Sequence, residues 1–192
     1  MKKLLPMLAL CLGLLVPAAP RAAGDDAARA QRWQDLRQAI FGDREVRDGS
    51  GILQLDAPPR ALDAALVPVG IAVAPGTAVK GLYLVIDDNP SPLAAHIVFG
   101  PAADPHSVKL RVRVDQYTQI HAVVETADGR LYATARFIKA AGGCSAPASG
   151  QDPAALKDIG HMKLRLAGDF APGKPVQAQL MIRHPNFNGM QM

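Results

Sequence analysis

The sequence predicts an all-β protein: an immunoglobulin-like antiparallel β-sandwich preceded by a short N-terminal helix and followed by the first strands of a second β-sandwich. Two observations carry this. From residue 51 onward, apolar residues alternate with other residues, most clearly at Val67, Val69, Ile71 and Val73 and at Val108, Leu110, Val112 and Val114. That is the period of a strand with one buried face. About seven such runs, each closed by a turn former, fall within roughly 90 residues, the density of a sandwich.

The chain opens on Met1-Lys2-Lys3, an apolar stretch from Leu4 to Val16, and small residues around Ala18, Ala19, Ala22 and Ala23. This three-part layout predicts a Sec-type signal peptide over 1–23, too short for a membrane span, and a periplasmic mature protein. The 192 residues carry a formal net charge of +4. Cleavage after Ala23 removes Lys2, Lys3 and Arg21 from the 21 cations, leaving 18 against 17 anions and a net charge of +1. Neither a nucleic-acid partner nor a membrane surface is indicated.

Residues 24–48 are expected to form a helical segment. Asp25 and Asp26 favour the positive end of a helix running to Phe41, Trp33, Leu36 and Ile40 make one apolar stripe, and Gly42 ends it. Residues 49–140 form the sandwich, with strands at Ile52–Leu55, Val67–Val73, Gly81–Ile86, Ala95–Phe99, Val108–Val114, Ile120–Thr126 and Leu131–Lys139. Breakers divide them: Ala57-Pro58-Pro59, Pro75-Gly76, Asp87-Asp88-Asn89-Pro90, Gly100-Pro101 and the hairpin signal Asp128-Gly129. Residues 141–156 are small and almost free of bulky apolar groups and read as a surface arm and linker. Met162–Leu166 and Val176–Ile182 are two more strands, which do not make a stable sheet alone, so 157–192 is expected to be an incomplete domain or to complete a partner.

Cys11 lies in the signal core, so Cys144 is the single cysteine of the exported chain. An unpaired cysteine in an oxidising compartment is buried, intermolecularly bonded or reactive. Gly142 and Gly143 precede it and only alanines offer apolar cover nearby, which favours an exposed, working thiol on a flexible arm. The histidines His96, His106, His121, His161 and His184 show no metal-ligand spacing, and no metal or other cofactor is expected. Asp87-Asp88-Asn89-Pro90 is a turn before it is a calcium site. Lys109, Arg111 and Arg113 form a basic row, usually just solvated, that suits an anion or an acidic partner. No nucleophile triad, P-loop or dinucleotide-binding glycine pattern is present, so an enzyme is not indicated.

Val85-Ile86-Asp87-Asp88-Asn89-Pro90-Ser91-Pro92, Ala95 to Gly100, Leu110 to Val114, Ala127 to Arg130 and above all Gly142-Gly143-Cys144 resemble SoxY, the sulfur-carrying subunit of the periplasmic sulfur-oxidation system, over about residues 50–145. Residues 161–192, with Leu164 to Gly168, Pro172-Gly173-Lys174 and Arg183-His184-Pro185, resemble the opening strands of SoxZ, its partner. Together they resemble fused SoxYZ-like carriers associated with quinoprotein dehydrogenases, with the SoxZ part truncated. The resemblance implies that Cys144 carries sulfur covalently and presents it to Sox-type sulfur-oxidising enzymes or to a quinoprotein dehydrogenase system. Unlike SoxY, where Gly-Gly-Cys lies at the free chain end followed by glycines, Cys144 is internal and followed by Ser145-Ala146-Pro147, so a loop would have to enter a partner. Lys2-Lys3 in place of twin arginines favours unfolded export. The alternative is a non-covalent accessory or scaffold domain for a quinoprotein alcohol dehydrogenase. A homodimer through Cys144 is compatible with the carrier role.

Overall fold

The structure, a computed structural model, describes residues 21–142, 159–169, 171–173 and 176–183. The chain runs α1 (Arg21–Phe41), β1 (Val46–Asp48), β2 (Leu53–Asp56), β3 (Val67–Val73), β4 (Val79–Ile86), β5 (Leu93–Val98), β6 (Ser107–Val112), β7 (Thr118–Thr126) and β8 (Leu131–Ile138), then β9 (Met162–Ala167) and β10 (Gln177–Ile182). A five-stranded sheet in the order β1-β8-β7-β4-β5 faces a three-stranded sheet, β2-β3-β6, while β9 and β10 pair as an antiparallel hairpin. This is the expected immunoglobulin-like sandwich.

The alternation works as the sequence predicts. In β3, Val67, Val69, Ile71 and Val73 are buried and Pro68 and Ala72 are exposed. Those residues, with Leu53 and Leu55, meet Leu82, Leu84, Ile86, Ile120, Ala122 and Val124 of the larger sheet in one core. Burying each such aliphatic side chain contributes roughly 1.5–3 kcal/mol.

Strand β7 is buried at Ile120 through Glu125 without alternating, because the larger sheet is covered on both sides. Trp33, Ile40 and Phe41 of α1 pack with Tyr83, Val123, Leu131 and Ala133 in a second cluster on its outer face. The helix thus covers the sheet as its stripe predicts, although Leu36 is only half-buried and outside that cluster. Two expectations need correction. The helix starts at Arg21, so Asp25 and Asp26 lie inside it and its first turn holds no acid. And β1, within the segment expected to be helical, is a strand parallel to β8, Val46 lying beside Leu131. Three residues with charged Arg47 and Asp48 give no periodicity to read. Gly42 ends the helix as predicted, at φ +62° with its N–H on the Gln38 carbonyl (2.9 Å).

In the hairpin, Leu164 lies opposite Leu180, Met162 opposite Ile182 and Leu166 opposite Ala178. Met162, Leu164, Leu166, Leu180 and Ile182 are all exposed. No helix among the described residues is long and apolar enough to cross a membrane.

Candidate functional site

The site predicted from sequence centres on Gly142, Gly143 and Cys144. Gly143 and Cys144 lie outside the described residues, as do the core of the expected signal peptide and His184; Gly142 is the last residue before them. The structure therefore shows the root from which the thiol segment leaves.

That root is built by backbone pairing. After β8, the Lys139 N–H donates to the Pro59 carbonyl and the Lys139 carbonyl accepts from Ala61 N–H, both at 3.0 Å. Ala140, 5% exposed, is the last buried residue among those described. The Gly142 N–H then donates to the Asp115 carbonyl at 2.6 Å. Gly142 has φ +79°, where a side chain would be strained, and an added Cβ would meet nothing within 4 Å; the glycine is required by conformation, not by space.

Asp115 is itself held. Its N–H donates to Asn89 Oδ1 (2.9 Å), and Asn89 Nδ2 donates to the Arg113 carbonyl (2.8 Å). Between them, the Val114 N–H donates to the Ala64 carbonyl (2.8 Å). The Asp87-Asp88-Asn89-Pro90 turn is thus the brace of the arm root. The Asp88 N–H donates to Thr118 Oγ1 (3.0 Å), and Asp88 pairs with Arg32 of α1 at 2.8 Å. Asp87, 1% exposed, accepts from His121 Nδ1 at 2.9 Å. A carboxylate only accepts, so Nδ1 carries the hydrogen. The His121 ring stacks on Trp33 with centroids 3.7 Å apart. Asp87 Oδ2 is buried with no partner. Asp87 Oδ1, Asp88 Oδ1 and Asn89 Oδ1 are engaged in bracing the fold, which is the turn-forming role expected of this segment.

The other histidines are dispersed. His96 stacks on Tyr83 at 4.1 Å, His106 bonds Asp104 Oδ1 at 2.8 Å, and His161 is exposed. Among the described residues no group of three or more His, Cys, Asp or Glu is placed to hold a metal ion. Lys109 and Arg111 are exposed and Arg113 is half-buried just past the end of β6.

Sequence reasoning missed two parts of the root. Asn89 reads as a turn former, and nothing local reveals that its side chain reaches 26 residues along the chain to Asp115. Leu62, Leu66 and Tyr117 are exposed large apolar residues on segments that the Ala61–Lys139, Ala64–Val114 and Asp115–Gly142 bonds gather at this end of the sandwich. The available signal was bulky apolar residues in loops otherwise rich in Pro, Ala and Asp.

With this geometry in place, comparison with known proteins gives a specific result. The family described as "Sulfur oxidation protein SoxY" matches residues 37–144, more than half of the chain. The chain belongs to the SoxY family. The SoxY match begins in the last turns of α1, spans both sheets and ends on Cys144. Among solved structures, the sulfur carrier protein SoxY from Chlorobium limicola f thiosulfatophilum is similar at TM-score 0.51 and 28% identity, over 62% of this chain and 99% of that one. Weaker likenesses, below TM-score 0.5, are to a superoxide reductase (neelaredoxin) from Ignicoccus hospitalis (TM-score 0.39, 15% identity, 46% and 79% covered) and to fibronectin(III)-like modules of Clostridium thermocellum CbhA (TM-score 0.36, 16% identity, 46% and 93% covered). No curated protein sequence matched.

Proposed function

We propose that the protein is a periplasmic sulfur carrier, not itself an enzyme, which binds sulfur intermediates covalently on Cys144 and presents them to partner enzymes of sulfur oxidation or of quinoprotein dehydrogenase-linked metabolism. The observation that carries this reading is that the SoxY match ends on Cys144, two residues beyond a glycine pinned to the sandwich rim. The thiolate is the reactive form. Attacking an internal sulfur of a polysulfide, it forms a new S–S bond while one polysulfide S–S bond breaks. A shorter polysulfide leaves with the electron pair, the cysteine sulfur is oxidised and the leaving chain is reduced, so no further oxidant is needed.

In this reading Gly142 and Gly143 give the arm its freedom, 141–156 is arm and linker, and 157–192 belongs to a SoxZ-like partner domain fused behind the carrier. The hairpin supports that last assignment: five exposed large apolar residues on two strands call for a covering layer.

The test is intact-mass analysis of the full chain after incubation with polysulfide. Mass gain in steps of one sulfur atom on wild type, reversed by thiol reductant and absent in Cys144→Ser, is expected. An alkylatable Cys144 that gains no sulfur from polysulfide, or from thiosulfate with the oxidising partner enzymes, overturns the carrier and leaves the non-covalent accessory role.

A further inference from the structure

The outer face of the smaller sheet carries a trough. The outward positions of its central strand are Pro68, Gly70 and Ala72, none of which projects a long side chain, so β3 forms a low floor. On one side, Asp56 of β2 lies beside Gly70. On the other, Lys109 lies beside Gly70 and Arg111 beside Pro68 on β6. The result is a groove of about 770 Å³ whose lining includes Asp56, Pro58, Pro68, Gly70, Lys109 and Arg111.

Both cations are uncommitted. Arg44 and Lys80 are spent on Glu125, and Arg130 on Asp128, whereas Lys109 and Arg111 have no ion pair or side-chain hydrogen bond among the described residues. Asp56 leans over Gly70, its Oδ2 4.0 Å from where a Cβ there would sit, yet it forms no ion pair with Lys109 among the described residues, so one carboxylate on the β2 side faces two cations on the β6 side. The cations sit on alternate residues of one strand, about 6.8 Å apart along it. Alternate side chains of an extended peptide have the same separation, so two carboxylates on such a peptide match both cations at once. A compact oxyanion fills only a small part of a groove of this volume. Strand β6 also leads directly to Asp115, whose carbonyl holds Gly142, placing Arg111 within about 13 Å of the arm root.

We propose that this trough is a docking site for an extended acidic segment of a partner protein, oriented so that the partner's reactive site faces the Cys144 arm. The inference rests on the carrier reading for its purpose, while the docking itself needs no thiol. Electrostatic complementarity of this kind raises association rates and fixes register more than it adds affinity, which suits a carrier that must leave again.

The test uses the full chain with Cys144→Ser, to exclude disulfides, and an eight-residue peptide of alternating Glu and Thr as probe, followed by fluorescence polarisation and backbone amide NMR shifts. Shifts are expected along β3 and β6. Lys109→Glu/Arg111→Glu is expected to weaken binding at least about fivefold, two exposed ion pairs being lost. Lys163→Glu/Arg165→Glu, the same charge change on exposed β9, is expected to leave it within about twofold. No binding, equal weakening by both variants, or shifts away from β3 and β6 overturns the proposal. So does sodium thiosulfate or sodium sulfate binding the trough as tightly as the peptide, which would make it a small-anion site. The sulfur adduct on wild-type Cys144 is measured separately, so failure of docking and failure of the carrier reading are distinguishable.

Discussion

Replacing Asn89 by alanine removes the brace beneath the arm root, and the structure sets the size of the effect. Asn89 makes two hydrogen bonds to backbone groups, accepting from Asp115 N–H at 2.9 Å and donating to the Arg113 carbonyl at 2.8 Å. Each is worth about 0.5–1.5 kcal/mol net, and at a half-buried site water partly replaces the lost partner. Asn89→Ala is therefore expected to cost about 2 kcal/mol, or roughly 6–12 °C in Tm for a domain of this size. Asn89→Asp retains an oxygen for the Asp115 N–H and loses only the donor to Arg113, so its cost is expected near half, about 1 kcal/mol. Urea unfolding followed by circular dichroism gives the free energies. Amide hydrogen exchange at Gly142 gives the local consequence: because Asp115 is the acceptor for that N–H, exchange there is expected to be faster in Asn89→Ala. A loss below about 0.5 kcal/mol for the alanine variant, or an Asp variant as unstable as it, refutes the bracing role.

Three further outcomes are expected. Burial raises the Glu125 pKa, but hydrogen bonds from Lys80, Tyr83 and Arg44 and the Arg44 charge outweigh it and hold it below the usual 4.5. A folded value below the unfolded one stabilises above pH 4.5, and that contribution is lost as pH falls through the folded value. Glu125→Gln is expected to cost about 1 kcal/mol at neutral pH, since Arg44 and Lys80 are themselves exposed, and to flatten the acid side of a stability-against-pH curve. His121→Ala leaves buried Asp87 with neither oxygen partnered; about 2–3 kcal/mol should be lost in urea unfolding, Trp33 emission should shift to the red as its stacking ring goes, and Asp87→Asn in the same background should recover part of the loss. Gly142→Ala strains a residue at φ +79° beyond the last buried position, so exchange at that amide should rise while the global unfolding free energy moves by less than about 0.5 kcal/mol.

How much of this was legible depended on whether the signal was local. Alternation in β3 and β6 places Val67 and Val112 inside and Lys109 outside without further information, because a strand with one buried face encodes its own orientation. The buried run in β7 carries less, since a strand covered on both faces loses its period. Strand β1 has three residues and takes its structure from a parallel neighbour more than 80 positions away, so no window around it contains the cause. The same holds at the site. Gly142 was readable as a freedom-giving residue, but not that its N–H is tied to Asp115, nor that Asn89 positions Asp115. Contacts between distant residues are set by how the sheets close, and a single sequence states them only through turn residues such as Asp87-Asp88-Asn89-Pro90, whose side-chain partners stay unspecified.

The tie at Gly142 bears on how a carrier of this design would work. Cys144 lies two residues beyond Gly142, so with the Gly142–Asp115 bond formed chain length alone limits its backbone to within about 7 Å of the rim. Breaking that bond moves the anchor back to Ala140, which is 5% exposed and packed against the core, and doubles the limit to about 14 Å. Retreat beyond Ala140 would uncover Ile138, fully buried, and costs far more. On the carrier reading, the reach of Cys144 from the rim would thus have two limits separated by a single hydrogen bond. At a net worth of about 1 kcal/mol, that bond would be open in roughly one molecule in six or seven without any partner. A partner engaging the rim of such a carrier would need to supply only that small difference to draw the thiol inward, and the sandwich itself would not need to open. Rigidity in the Asn89–Asp115 brace and weakness in the Gly142–Asp115 bond are complementary requirements, one fixing where the arm starts and the other how far it extends.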